Sequence, residues 1–249
     1  MQNSEDELKK LREEVERASN FYYYSSQQQG IDNKTKRFVI ESCEPYFKGN
    51  RVLELGYIDG IWTDVILNKG YNIDIVEGAK KQVVHAELKY KNNSKVKVVH
   101  QLFQEFTPSY KYNTIVAADI LRYIPKPLEF LTNISDWLED DGHLIVTVPN
   151  SRSFHRRIGV LLNMEATPTV QNKRDLEVGN IRSYDRYELR HLLISSGYNV
   201  IELHGCFLKP LSSEQMKDWD HSLLRAFFDI GKELEDYCWF IYVICTKVK

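Results

Sequence analysis

The sequence predicts an α/β fold, in which helices cover both faces of a doubly wound, mostly parallel sheet of seven strands. Short apolar runs alternate with segments of helical periodicity along most of the 249 residues. The run at residues 51–55 passes into a turn bracketed by Gly56 and Gly60, and the next run ends in an acid, Glu77. This order of strand, tight turn, helix and strand ending in an acid is typical of a nucleoside-type cofactor site.

Composition and charge narrow the class of protein. Hydrophobic residues make up 43% of the chain, which predicts a packed core, and the formal net charge of −2 gives no indication of a nucleic-acid partner. The polar N-terminus and the short apolar runs predict neither a signal peptide nor a membrane partner. The four cysteines are scattered and form no C-x-x-C pair, so we expect no metal site and a cytoplasmic protein with reduced thiols.

The remaining elements follow from periodicity and from glycine and proline positions. A poorly periodic stretch at residues 164–182 is predicted to be a long loop, and residues 140–142 a turn. Helices are predicted at residues 4–18, 32–47, 79–90, 127–139, 183–196 and 212–236, and further strands at 72–77, 96–100, 112–118, 143–148, 198–204 and 239–246.

Polar side chains are predicted to cap three of these helices. Asp32 or Asn33 stands before the second helix, and Ser183 stands before the helix that ends near Gly197. The last long helix is predicted to begin at residue 212 or 213, both of which are serines.

The glycine turn carries a family resemblance. Glu54, Gly56 and Gly60 stand as in the first motif of the class I S-adenosylmethionine-dependent methyltransferases, E/D-x-G-x-G-x-G, with Ile58 in place of the middle glycine. A β-branched residue is disfavoured at positive φ and adds bulk near the methionine part of that cofactor.

Two later segments extend the resemblance. Residues 140–150 are similar to the family's Gly-Gly-x-Leu-x-x-x-x-Pro-Asn pattern, and residues 182–198 to its Arg-x-Tyr segment that ends in Gly-Phe. The resemblance implies a Rossmann-like methyltransferase fold with an antiparallel final strand and S-adenosylmethionine as cofactor. It divides the chain into an N-terminal helical lid at 1–49 and a methyltransferase domain at 50–249.

The resemblance also implies which residues hold the cofactor. The first motif lies along the methionine part, the acid after the second strand binds the ribose, and the residues after the third strand contact the adenine. A basic residue one helix before the first strand pairs with the methionine carboxylate. The residues at these positions are Arg37, Glu54, Gly56, Tyr57, Gly60, Glu77, Gly78, Gln101, Leu102, Phe103, Ala118 and Leu121.

The N-terminal segment has two open interpretations. Residues 4–18 predict a helix that packs on its own domain or forms a short dimer contact, so the protein is a monomer or a homodimer. The aromatic run at residues 21–24 is either a lid that places Tyr23 and Tyr24 near the acceptor, with Tyr24 in a catalytic role, or core filling with surface tyrosine.

The candidate acceptor side follows the fourth and fifth strands. Arg152, His155 and Arg156 form a basic cluster, which either binds an acidic or phosphorylated acceptor, with His155 as general base, or is a solvated helix start. The other predicted residues are Asp119 as a catalytic group and Tyr123, Asn150 and Tyr184 as acceptor contacts.

These predictions support transfer of a methyl group to an oxygen or nitrogen of a small polar acceptor, such as a phosphorylated compound or a carbohydrate. The alternative is a catalytically inactive, methyltransferase-like binding or regulatory protein. That alternative rests on Ile58, on the missing acid at the adenine position, and on Arg122 and Tyr123, which stand where the family has Glu-His. An RNA or protein methyltransferase is disfavoured by the acidic balance.

Overall fold

The computed structural model describes residues 2–26, 30–171 and 173–248, and these residues form one seven-stranded sheet. The strands run in the order β3-β2-β1-β4-β5-β7-β6. The five strands β1 to β5 are parallel, and β7 pairs antiparallel with both β5 and β6. Their bounds are β1 Arg51–Leu55, β2 Asn72–Glu77, β3 Val96–His100, β4 Tyr112–Ala118, β5 Leu138–Pro149, β6 Tyr198–Cys206 and β7 Phe240–Lys247.

Helices cover both faces of this sheet. Successive residues of a strand point to opposite faces, so Val52 of β1 packs with Phe38 and Ile66 on one side while Leu53 packs with Leu131 on the other. The predicted doubly wound fold and the antiparallel final strand are therefore confirmed. The helices are α1 Gln2–Ser26, α2 Ile31–Cys43, α3 Ile61–Asn68, α4 Lys80–Tyr90, α5 Pro127–Ser135, α6 Phe154–Leu161, α7 Lys173–Glu177, α8 Arg186–Ser195 and α9 His221–Gly231.

The predicted bounds of several elements were wrong. Helix α1 continues through the aromatic run to Ser26, and α2 ends at Cys43, before a 3₁₀ turn that contains a proline. Helix α5 ends at Ser135, and the predicted turn at 140–142 lies inside β5, where the register against β4 shifts. The stretch at 164–182, predicted to be a loop, holds the short helix α7.

The predicted caps were also wrong. Helix α2 begins directly after Gly30, so Asp32 and Asn33 lie inside its first turn. Helix α8 is capped by Asp185, whose carboxylate accepts from two backbone N–H groups and forms a capping box with Glu188. Helix α9 begins at His221, nine residues after the first predicted serine, and is capped by Asp220.

No helix of the described residues is both long and apolar enough to span a bilayer. The four cysteines are buried and free.

Candidate cofactor and acceptor site

The turn between β1 and α3 takes a left-handed backbone at three positions. Gly56, Ile58 and Gly60 have φ values of 85°, 50° and 75°. A Cβ at Gly60 would lie 2.7 Å from the ring of Tyr57, so both the backbone angle and the space require glycine there. Ile58 has no such freedom and holds a conformation that costs a β-branched residue about 1–2 kcal/mol. The turn therefore stores strain at the site.

Glu77 at the end of β2 is bound to this turn. Its Oε2 accepts from the backbone N–H of Tyr57 at 2.9 Å, and its Oε1 from that of Ala79 at 2.7 Å. Burial raises the pKa of the Glu77 carboxyl, although the backbone N–H groups around it lower that pKa. The backbone N–H groups of Gly78 and Ile58 also lie close to this carboxylate, which is therefore held in a fixed position at the edge of the sheet.

A cavity of about 310 Å³ opens at the carboxyl ends of β1, β2 and β4. This is the edge of an open α/β sheet where ligands bind, and the volume lies at the lower end of the range of about 300–1,000 Å³ for small-molecule pockets. Its floor comes from the strand ends, its roof from α1, and one side from Leu176 of α7 and the residues after that helix. These three groups are Gly56, Ile58, Glu77, Gly78, Leu102, Phe103, Ile120 and Tyr123; Leu11, Glu14, Val15, Arg17, Ala18 and Ser19; and Leu176, Gly179, Asn180 and Ile181.

Polar contacts hold α1 across the cavity. The Arg12 guanidinium pairs with the Glu105 carboxylate at 2.6 Å. Glu16 accepts from the backbone N–H of Lys80 at 2.8 Å and so caps the first turn of α4 from a different element. The apolar side of α1 closes the gap, because Val15 lies against Gly78, where an added Cβ would come within 3.2 Å of it.

A wider groove of about 1060 Å³ adjoins the cavity beyond Phe103. It runs between the first half of α1, the loop after β3 and α5, and Phe103 and Ile124 belong to both walls. Neither Ile58 nor Asn180 lines it, so the groove meets the cavity at the end away from the glycine turn.

Six of the predicted residues line the cavity, namely Gly56, Glu77, Gly78, Leu102, Phe103 and Tyr123. Three others support its floor. Glu54 is buried and accepts from the Thr63 hydroxyl at 2.5 Å, the Tyr57 hydroxyl contacts His85 Nδ1 at 3.0 Å, and Gly60 makes room for the Tyr57 ring. Gln101, Ala118 and Leu121 lie outside the cavity lining.

The basic residue at the glycine turn is Lys36, one position before the predicted Arg37. Arg37 is exposed, whereas the Lys36 ammonium donates to Asp59 Oδ2 at 2.9 Å. Burial lowers the pKa of Lys36, but the nearby carboxylates of Asp59, Asp119 and Asp32 outweigh it and leave the pKa raised. The lysine therefore stays charged beside the turn.

Several predicted acceptor residues lie around a second cavity of about 50 Å³, lined in part by Asn150, His155, Arg156 and Tyr184. The Asn150 side chain is occupied by backbone groups, donating to the carbonyls of residues 236 and 238 and accepting from the N–H of residue 152. The Arg156 guanidinium donates to the Pro168 carbonyl at 2.6 Å, and so binds the loop before α7.

The other predicted acceptor residues are dispersed. Arg152 is exposed, with 3.7 Å between its Nη1 and the Asp185 carboxylate. Asp119, at φ 58°, lies outside both cavity linings and accepts from the Thr147 hydroxyl at 3.1 Å. The side chains of Tyr23 and Tyr24 lie outside the described part of the structure. The predicted basic cluster therefore does not converge on one point.

His155 is a weak base in this setting. Burial, together with the positive charges of Lys209 and Arg156, lowers the pKa of its imidazole to about 3. The ring contacts the Trp239 ring edge to face at 6.2 Å between centroids. A general base works best when its pKa lies near the working pH, so His155 is a neutral imidazole with little driving force to take a proton.

A family described as "Methyltransferase domain" matches residues 24–203, which include the glycine turn, Glu77 and most of the cavity floor. The chain belongs to this methyltransferase family. Among curated proteins, no sequence matches it.

Solved structures agree with the fold of this methyltransferase. An S-adenosylmethionine-dependent methyltransferase from Mesorhizobium loti is 14% identical with a TM-score of 0.61, over 84% of this chain and 96% of that one. A similar enzyme from Archaeoglobus fulgidus is 15% identical with a TM-score of 0.59, over 91% and 99%. The glycopeptide N-methyltransferase MtfA in complex with S-adenosylmethionine is 12% identical with a TM-score of 0.56, over 85% and 86%.

The cofactor of the methyltransferase is S-adenosylmethionine, and the residues of the cavity fit it. Glu77 offers two held carboxylate oxygens for a ribose diol, and Leu102 and Phe103 offer apolar surface for an aromatic base. A side chain at Gly56 would come within 3.2 Å of Ile120 and fill the space beside the turn. When bound, the cofactor supplies an activated methyl group, and the protein has to align a nucleophile with it.

Sequence reasoning missed Lys36 beside the glycine turn and the residues that reach the cavity from distant segments. Lys36, Asn180 and the α1 residues carry no motif, and their positions depend on how α1 and the stretch after α7 pack over the sheet. The helical periodicity of α1 was visible in the sequence, but periodicity alone does not give the surface that its apolar side covers.

Proposed function

We propose that this methyltransferase transfers the methyl group of S-adenosylmethionine to an oxygen or nitrogen atom of a small polar acceptor. The observation that carries the proposal is the cavity, in which the held carboxylate of Glu77 faces a space of about 310 Å³ under α1. The wider groove of about 1060 Å³ that adjoins this cavity beyond Phe103 offers further space for a small acceptor.

The lining supports an acceptor with polar groups. Arg17 and Glu14 of α1 reach the cavity, together with Asn180 from the opposite side. The first acceptors to screen are phosphorylated compounds and carbohydrates. The residues around Arg152 and Arg156 suggest these two classes. We also propose that the enzyme is cytoplasmic, because its four cysteines are free thiols.

The catalytic contribution of the protein lies in positioning. Enclosure by α1 and the rigid glycine turn would fix the acceptor against the cofactor, and a well-oriented pair of reactants gains much of its rate from that alignment. An amine acceptor needs only to reach the site deprotonated, whereas a hydroxyl acceptor needs a base.

The test is a calorimetric titration with S-adenosylmethionine and S-adenosylhomocysteine, followed by a radiolabelled methyl-transfer screen of phosphorylated, sugar and amine acceptors. Glu77→Gln places an amide N–H₂ against a backbone N–H donor, and we expect it to weaken cofactor binding about tenfold or more. Glu87→Gln, an exposed neighbour on α4, is the matched control. Binding of neither ligand, or equal binding by the Glu77→Gln variant, would refute the assigned cofactor site.

A further inference from the structure

The small cavity beside the cofactor site collects unpaired polar atoms. It has a volume of about 50 Å³ and shares Asn180 with the cofactor cavity. Seven buried side-chain nitrogen or oxygen atoms in the described residues have no hydrogen-bond partner, and four of them belong to its wall. Each such atom costs about 1–3 kcal/mol, so their concentration at one cavity indicates a ligand that completes them. The four atoms are Ser151 Oγ, His155 Nδ1, Asn180 Oδ1 and Arg182 Nε.

The charge around this cavity favours an anion. Arg182 contributes a permanent positive charge, and Lys209 and Arg156 lie close enough to lower the pKa of the His155 imidazole. The acid on the wall, Asp175, is engaged by Arg156 at 3.3 Å and by the Asn180 amide at 2.8 Å. An arginine N–H and a hydroxyl are donors suited to an anionic oxygen.

The size of the cavity selects among anions. A cavity volume of about 10–15 Å³ is enough to hold one water molecule, so about 50 Å³ admits a group of three or four heavy atoms. A planar carboxylate meets this limit, whereas a tetrahedral phosphate or a sugar ring exceeds it. The proposed phosphorylated and carbohydrate acceptors would therefore reach this cavity only through an attached carboxylate.

We propose that the small cavity binds a carboxylate group of the methyl acceptor, held by the Ser151 hydroxyl and the Arg182 Nε–H. This proposal rests on the proposed methyl transfer and names the acceptor class as a carboxylate-bearing amino or hydroxy acid. His155, kept neutral by its surroundings, adds a third N–H donor in the tautomer with hydrogen on Nδ1.

Asn180 connects the two cavities. Its Nδ2 donates to Asp175, which fixes the amide and leaves Oδ1 as an acceptor. In the proposed complex, Oδ1 accepts from the N–H or O–H of the nucleophile, so its position sets the spacing between the acceptor's carboxylate and its reacting atom. The amide would act as a positioning group on the cofactor side of the carboxylate.

The test uses the full chain with ¹³C,¹⁵N-labelled histidine, saturated with S-adenosylhomocysteine, and formate as the carboxylate probe. The His155 resonance, assigned with a His155→Gln variant, is followed by NMR during titration with formate or with inorganic phosphate at matched ionic strength. We expect a saturable shift with formate and none with phosphate. A linear response to formate, or equal responses to both anions, would overturn the proposal.

Three variants separate binding from structure. Arg182→Gln is expected to weaken formate binding about tenfold, whereas Arg190→Gln, an exposed charge change on α8, leaves it unchanged. Ser151→Ala is expected to weaken binding several-fold without lowering the Tm, because it removes a hydroxyl that has no partner. Unchanged formate binding in Arg182→Gln, or a Ser151→Ala variant that loses Tm while keeping formate affinity, would contradict the assigned contacts.

The titration is repeated without S-adenosylhomocysteine. If calorimetry shows that the cofactor product does not bind, the proposed methyl transfer fails at that step, while the formate response still reports on the small cavity. If the product binds and formate does not, only the carboxylate site is refuted.

Discussion

Ile58 offers a direct test of backbone strain at the glycine turn. Its φ of 50° costs a non-glycine residue about 1–2 kcal/mol, whereas glycine adopts this conformation freely. Glycine usually destabilises a folded segment by about 0.5–1 kcal/mol relative to alanine, because it gains more freedom in the unfolded chain. The difference between these two effects leaves Ile58→Gly more stable than Ile58→Ala by about 0.5–1 kcal/mol.

Comparing Ile58→Gly with Ile58→Ala isolates the contribution of the backbone to stability, because both variants remove the isoleucine side chain beyond its Cβ. The free energy of unfolding is measured by urea denaturation followed by circular dichroism. Val84, an exposed β-branched residue in the middle of α4, is the matched control, and there the alanine variant should be more stable than the glycine variant by about 1 kcal/mol. An alanine variant at position 58 that equals or exceeds the glycine variant would refute the strain argument.

Three further predictions concern the framework around the site. Burial raises the pKa of Glu54 well above its usual value, so the folded protein binds more protons than the unfolded chain above about pH 4.5 and loses stability as pH rises. Glu54→Gln keeps an acceptor for the Thr63 hydroxyl but does not titrate. As pH rises above about 4.5, its unfolding free energy should increase relative to that of the wild type by up to about 1.4 kcal/mol per pH unit. A difference between the two proteins that stays constant with pH in urea denaturation would contradict this. Gly60→Ala should destabilise by about 2–4 kcal/mol in the same assay, from its left-handed backbone and the clash with Tyr57, and a loss below 1 kcal/mol would contradict it. Asp185→Ala should lower the free energy of unfolding in the same assay by about 1 kcal/mol through loss of the α8 cap, and an unchanged value would contradict this.

The central strands could be predicted because strands that are buried on both faces are rich in apolar residues. The runs of β2 and β4, which are buried along nearly their whole length, gave their bounds correctly, since parallel strands covered by helices are rich in apolar residues. The bounds of β3 were also correct, although this edge strand is partly exposed. The floor of the larger cavity was predictable for a related reason. Each of its parts lies directly after a strand, so the chain order places Gly56 and Glu77 at one edge of the sheet.

The start of α9 shows how local hydrogen bonds override periodicity. Ser212 and Gln215 close a turn of their own, in which the Gln215 side chain accepts from the Ser212 N–H at 3.1 Å and the Ser212 hydroxyl accepts from the Gln215 N–H at 3.3 Å. Such side-chain contacts compete with helix formation, and Asp220 then starts the helix at a later position.

The basic residues of the cofactor and acceptor sides could not be predicted, because their positions depend on how distant parts of the chain pack. Neighbouring helical residues point about 100° apart, so the choice between Lys36 and Arg37 depends on the rotation of α2 against the sheet. Arg156 lies in the predicted basic cluster, but it binds carbonyls of a loop that packs back over α6. Only tertiary packing shows which cations face a cavity.

The roof and the floor of the cofactor cavity come from separate stretches of chain. The floor lies on the turns after the central strands, while the roof is one continuous helix joined to the floor through contacts such as Arg12 with Glu105. Substitutions along the inner side of α1 therefore reshape the space above the cofactor while the hydrogen bonds of Glu77 stay in place. In the proposed site, the selectivity for an acceptor beside the cofactor can therefore be altered within a single helix, without changing the residues proposed to hold the nucleoside.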